Sequence, residues 1–177
     1  MQKYQLVHYG HAALRQKAEP VKEINEEVLH LIREMITIMN AHNGIGLAAN
    51  QVGVLLRIFV CTVVGLDQEG YPVFGDPKVY INPIITVLDS TEWVDSEGCL
   101  SVPKVYADIP RPTKIQVEAL NEKGETFIED KEGWMARPIL HENDHLNGVL
   151  FFDRMPPYRR QSLQPQLKKI KKKYNGL

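Results

Sequence analysis

The stretch HENDHLNG, residues 141–148, sets two histidines four residues apart, with Glu142 beside the first and Asp144 just before the second. The pair acts together only if the segment is helical. Positions i and i+4 lie almost above one another on a helix, so His141 and His145 then present two imidazoles to one point. Glu142 falls roughly a quarter of a turn away, within reach of a water on an ion without binding the ion itself, which is the logic of H-E-x-x-H. The spacing predicts a helix over 137–147. Pro138 is tolerable there only in the first turn, where its missing N–H has no bond to lose.

Outward from this helix the pattern is mixed. A first helix is expected over 25–42: Asn25 can cap it, Glu26 and Glu27 suit the positive end of its dipole, and Val28, Leu31, Ile32, Met35, Ile36 and Met39 recur at helical spacing. Asn43 and Gly44 stop it. LLRIFVCTVV at 55–64 is rich in β-branched residues and reads as a strand. GLDQEGYPVFGDP at 65–77 carries three glycines and two prolines and reads as a loop, either a flap over a site or a plain exposed connection. Short strands follow near 79–89 and at TKIQVEAL, 113–120; NEKGE turns the chain and TFIE completes a hairpin. The last twenty residues read as a third helix with a basic end. Helices that do not alternate with the strands predict an α+β fold: small mixed or antiparallel sheets around a central metal-binding helix, with an N-terminal and a C-terminal helix.

A chain of 177 residues suits a single domain, 1–177, with a real core. Its net charge of -1 argues against a polyanion binder as a whole, and no apolar run approaches the length of a membrane span. The opening MQKYQLVHYGHAAL lacks the apolar core of a signal peptide, and two cysteines make no disulfide framework, so the expectation is a reduced, cytoplasmic protein.

A catalytic ion of this kind wants a third protein ligand and an open position. No histidine follows His145, position 151 is Phe151, and Asp153 follows too closely to be the usual later carboxylate. The third ligand must lie upstream, and the best candidate is Cys99 in SEGCLSVP, 96–103. Cys61, within an apolar strand, reads as a small buried hydrophobe. In NGIGLAANQVG, 43–53, the glycines allow close backbone approach, and Gln51 is an uncharged donor suited to a developing oxyanion. No Gly-Lys-Ser/Thr follows, so this is not a phosphate loop.

GIGLAANQ at 44–51, EGCLS at 97–101 and HENDH at 141–145 together resemble the peptide deformylases in motif, order and spacing. The resemblance runs from HAALRQKAEPV near the start to HLNGVLFFDR at 145–154. It implies a metal-dependent hydrolase that removes the formyl group from the N-terminal formyl-methionine of new polypeptides. It implies Cys99, His141 and His145 as ligands of one divalent ion, often Fe2+, with Zn2+, Ni2+ or Co2+ able to substitute. Glu142 is then the proton carrier, Gln51 and the Leu100 backbone N–H the oxyanion donors, and Ile45, Gly46 and Gly98 the main-chain partners of a peptide lying like an added strand. Glu97 and Arg111 are expected to pair and brace EGCLS. Asp144 orients a ligand, caps a neighbour or is a solvated helical acid.

Leu140, Pro138 and Tyr106 depart from the residues usual in the family at those places, and they bear on pocket detail rather than on the reaction. The basic run KKIKKK, 168–173, reads as a solvated face, with contact to ribosomal RNA as the functional alternative. The residues leave open a zinc endopeptidase, a metal-bearing protein without activity, and a hydrolase of small formyl amides.

Overall fold

The computed structural model describes residues 4–174, the side chains of Val63 and Val64 excepted. Helix α1 (Glu26–Ala41) begins where its cap does: the Asn25 Oδ1 accepts the Val28 N–H at 3.1 Å. Val28, Leu31, Ile32, Met35, Ile38 and Met39 form its buried stripe, while Ile36 is only partly covered. That stripe packs on Leu47, Val60 and Ile81.

These three come from a sheet of five strands: β1 (Gly46–Ala48), β2 (Ile58–Leu66), β3 (Pro72–Cys99), β4 (Val102–Leu120) and β5 (Thr126–Glu132). They lie in chain order and every pairing is antiparallel, so the small sheets expected join into one. β3 and β4 are far longer than the separate strands read from sequence. Register shifts interrupt their pairing between Val87 and Asp89 and again between Asp89 and Glu92, and such irregularities let a long ribbon bend. Two prolines sit at such weak points: Pro83 lies within a further shift between Ile81 and Ile84, and Pro112 faces Glu92.

The loop expected at 65–77 is instead most of a hairpin. Gly65 faces Val73 and Leu66 faces Pro72, which leaves a turn over 67–71. Asp67 closes it, its Oδ1 accepting the N–H groups of Glu69 at 3.0 Å and Tyr71 at 2.8 Å. One carboxylate thus closes the turn that joins β2 to β3. The NEKGE turn is as expected, with Asn121 Oδ1 accepting from the Lys123 and Glu125 N–H groups.

Helix α2 (Ala136–Leu146) follows a 3-10 turn, Gly133–Met135, and Pro138 falls in its first turn. Ala136, Ile139 and Leu146 pack on Phe59, Tyr80, Ile115 and Val117 of the sheet. The third helix is two: α3 (Pro157–Gln161) and α4 (Gln164–Tyr174), broken at Ser162 and Leu163. Leu163, Leu167 and Ile170 anchor this end on Val105, Ile109 and Phe151. Residues 175–177 of the expected helix lie outside the described residues. No described helix is long and apolar enough to cross a membrane.

Candidate metal centre

α2 is unusual in what it buries: His141, Glu142, Asp144 and His145 are all inside. Polar groups in such a position need partners or a ligand. The two histidines find theirs at the far end of β3. Cys99 Sγ lies 3.2 Å from His145 Nε2, and ligand atoms from Cys99, His141 and His145 all fall within 4.8 Å of one another. Cys61 lies elsewhere, buried in the sheet core.

His141 is oriented from behind. Its Nδ1–H donates to Glu97 Oε2 at 3.0 Å, which leaves Nε2 for the centre. Burial alone would depress this imidazole, but the Cys99 sulfur and the Glu97 carboxylate outweigh burial and raise its pKa well above the ordinary value. His145 shifts the other way, burial and then His141 holding its pKa well below the ordinary value. Soft sulfur, two imidazoles and close convergence fit a divalent transition metal.

Glu97 is held in turn. Arg111 grips it bidentately, Nε to Oε1 at 2.8 Å and Nη2 to Oε2 at 2.9 Å. Burial would push the Glu97 carboxyl up, yet the Arg111 and His141 contacts prevail and keep it far below the usual carboxylate range. Removing one member of such a buried pair costs on the order of 3–5 kcal/mol. Arg111 Nη1 also reaches Asp144 Oδ2 at 2.6 Å, and Asp144 takes a second arginine, Arg154. Asp144 is thus neither solvated nor bonded to a ligand histidine; it anchors Arg111, which lies behind Glu97, together with Arg154.

On the open side, Gln51 accepts the Ala48 N–H on Oε1 at 2.8 Å, which turns its Nε2 toward Cys99 Sγ at 3.5 Å and Ser101 Oγ at 3.3 Å. Glu142 is buried, and its Oε2 has no hydrogen-bond partner among the described residues. Burial, with Glu97 nearby, raises its carboxyl to about 7. Gly46 explains how the acid fits: a Cβ there would stand 2.5 Å from Glu142 Oε1. The space beside the glycine belongs to the carboxylate.

A cavity of about 640 Å³ opens from this point, with Ile45, Gly98, Leu100, Tyr106 and Trp134 among its walls. Tyr106 is 71% exposed and lies over Gly98, where a Cβ would meet the ring at 2.6 Å. Ile45 reaches the wall with its carbonyl already accepting the Thr62 N–H at 2.9 Å.

The sequence reading missed Arg137, Ser101 and Asn50, all buried near the site. Ser101 stood in the EGCLS motif and Arg137 one helical turn before His141, so each had a positional signal. Asn50 ties the Gln51 segment to the chain's first turns by donating to Ala13 O and Gln16 O.

Comparison with known proteins agrees with this geometry. A family model described as polypeptide deformylase matches residues 3–161. A peptide deformylase from Clostridium botulinum is 45% identical over 147 residues, 82% of this chain and 92% of that protein. One from Brachyspira hyodysenteriae is 40% identical over 94% of this chain and 88% of its own length. Among solved structures, a plant peptide deformylase superposes with a TM-score of 0.87 at 34% identity, covering 99% of this chain and 93% of that one. With a match of that extent and a Cys-His-His cluster able to hold an ion, the chain belongs to the peptide deformylases, metal-dependent hydrolases that remove the N-formyl group from newly made polypeptides.

Proposed function

We propose that Cys99, His141 and His145 hold one divalent ion, ferrous iron in the cell with zinc, nickel or cobalt able to replace it, and that Glu142 carries the protons of formyl hydrolysis. The observation that supports this most is the convergence of three ligand atoms beside a buried carboxylate oxygen that has no partner among the described residues. A bound ion would supply acidification of a water, toward a pKa of ~7, and polarisation of the formyl carbonyl.

The chain's own groups do the rest. Glu142, held near neutrality by burial, takes the proton that water gives up as its oxygen bonds to the formyl carbon. When the C–N bond breaks, Glu142 delivers that proton to the departing methionine amine, leaving formate and a free N-terminus. Gln51 Nε2 and the Leu100 N–H donate to the oxygen that gains charge. The Ala48 hydrogen bond sets the Gln51 amide beforehand, so little reorganisation is needed. Gln51→Ala is expected to lower kcat by about 10²–10³-fold with little change in KM. Steady-state kinetics test this, and a loss under threefold contradicts the role.

β1 lies at an edge of the sheet, which supports a peptide adding beside Ile45 and Gly46, with Gly98 across the cavity. Glu97 and Arg111 hold His141 in register, with Asp144 behind Arg111. The whole chain, 1–177, acts as one catalytic domain.

The substrate is a chain still under synthesis, so the protein acts in the cytoplasm at the ribosome. Lys168, Lys169, Lys171, Lys172 and Lys173 are exposed on α4 while Leu167 and Ile170 fasten it down, an arrangement suited to phosphate contacts. Co-sedimentation with ribosomes, at two salt concentrations and with and without residues 168–177, is expected to show salt-sensitive binding that the truncation removes. Equal binding by the truncated chain overturns the contact.

A further inference from the structure

Arg137 lies four residues before His141, on the same face of α2. It is buried, and every acceptor of its guanidinium is in or beside the ribbon of β3 and β4. Nη1 donates to Glu97 Oε1 at 2.7 Å, Ile109 O at 2.9 Å and, more weakly, Asp95 O at 3.4 Å; Nη2 donates to Trp93 O at 2.8 Å. The guanidinium carbon also stands 4.8 Å from the Trp93 ring centroid. One planar group therefore joins the helix that carries both histidines to the strand that carries Glu97 and Cys99.

We propose that Arg137 is a positioning residue for the ion: it locks the Glu97 carboxylate and the Trp93–Glu97 segment so that His141 Nε2 and Cys99 Sγ meet at a fixed separation. The inference rests on the reading of Cys99, His141 and His145 as the ion's ligands. Arg111 cannot replace this function, because it is divided between Glu97 and Asp144 and comes from β4. Of the two arginines on Glu97, Arg137 is the one that comes from α2 itself. Its planar fork serves four acceptors, Asp95 O the weakest, whereas a lysine would meet one or two.

The test is ion retention, which does not depend on catalysis. Protein prepared without oxygen and loaded with Co2+ is mixed with excess chelator, and release is timed. The visible bands of the cobalt–thiolate site are recorded beside it. Groups that support metal ligands typically contribute 10–100-fold in affinity, so Arg137→Met is expected to release cobalt about tenfold faster and to shift the bands. Arg137→Lys, which keeps the charge and guards against a misfolded Met variant, is expected to fall between. In a Glu97→Gln background, Arg137→Met is expected to add less than it does in wild type, since the route through the carboxylate is cut and only the hold on the Trp93–Glu97 backbone remains. Release and bands unchanged in both Arg137 variants overturn the inference, as does a full tenfold effect without Glu97. A wild-type chain that takes up no cobalt overturns the ligand assignment itself and the inference with it.

Discussion

Glu142→Gln is expected to lower kcat by about 10²–10⁴-fold while the protein keeps its ion, because the amide fills the same space beside Gly46 and cannot take a proton. The same substitution has a second, opposite effect on the metal-free protein. The Glu142 carboxyl rises from its ordinary 4.5 to about 7, with burial the main cause. A folded state that binds the proton more tightly than the unfolded chain has the full benefit below pH 4.5 and loses it as pH rises through about 7. Above that window a buried carboxylate charge burdens the fold by roughly 3 kcal/mol. Glutamine carries no such charge. Without metal, Glu142→Gln is therefore expected to be the more stable protein at pH 8 by roughly 2–3 kcal/mol and nearly equal to wild type at pH 4.5. Denaturant unfolding at the two pH values checks this. Parallel curves for the two proteins contradict the burial argument.

Cys99→Ser is expected to remove the ion altogether. Serine is nearly the same size, and its hydroxyl can keep the contacts of Cys99 Sγ with Gln51 Nε2 and His145 Nε2, so the fold has little to lose. A hydroxyl does not replace a thiolate as a ligand for zinc or ferrous iron. Metal content is expected below about a tenth of wild type, and formate release with it. Melting gives an independent reading. An ion at a thousand times its Kd stabilises the folded state by about 4 kcal/mol, so wild type should melt higher when loaded and Cys99→Ser should not respond. A serine variant that still holds one ion per chain contradicts the ligand set.

The legible parts of this fold were those set by local rules. α1 follows from an asparagine cap and one apolar stripe, and α2 from two histidines that needed a helix to converge. The NEKGE turn is an asparagine folding back on its own backbone. The hairpin at 65–77 is not legible locally because glycine and proline signal a loop, while pairing such as Leu66 with Pro72 depends on a partner strand that local composition does not specify. The length of β3 and β4 was hidden for the same reason: strands broken by prolines are still paired across the breaks.

The site divides similarly. The metal cluster and Glu142 stood in motifs of fixed spacing. What holds them did not: Arg137 near a helix start reads as a solvated charge until Trp93 and Ile109, 44 and 28 residues away, close over it. The fate of Asp144 was open in the sequence because Arg111 and Arg154 arrive from opposite sides along the chain. At Ile45 the carbonyl is bonded within the protein by the Thr62 N–H, a pairing that depends on the neighbouring strand and not on local sequence.

The most direct test is formate release from a formyl-Met-Ala-Ser peptide. Wild-type protein is purified without oxygen and loaded with iron or nickel, beside Glu142→Gln at equal metal content and with the acetylated peptide as control. Rapid release by wild type, collapse in the variant and no cleavage of the acetylated peptide are the expected results. No formate from fully metal-loaded wild type, or equal rates with and without the Glu142 carboxylate, would contradict the account.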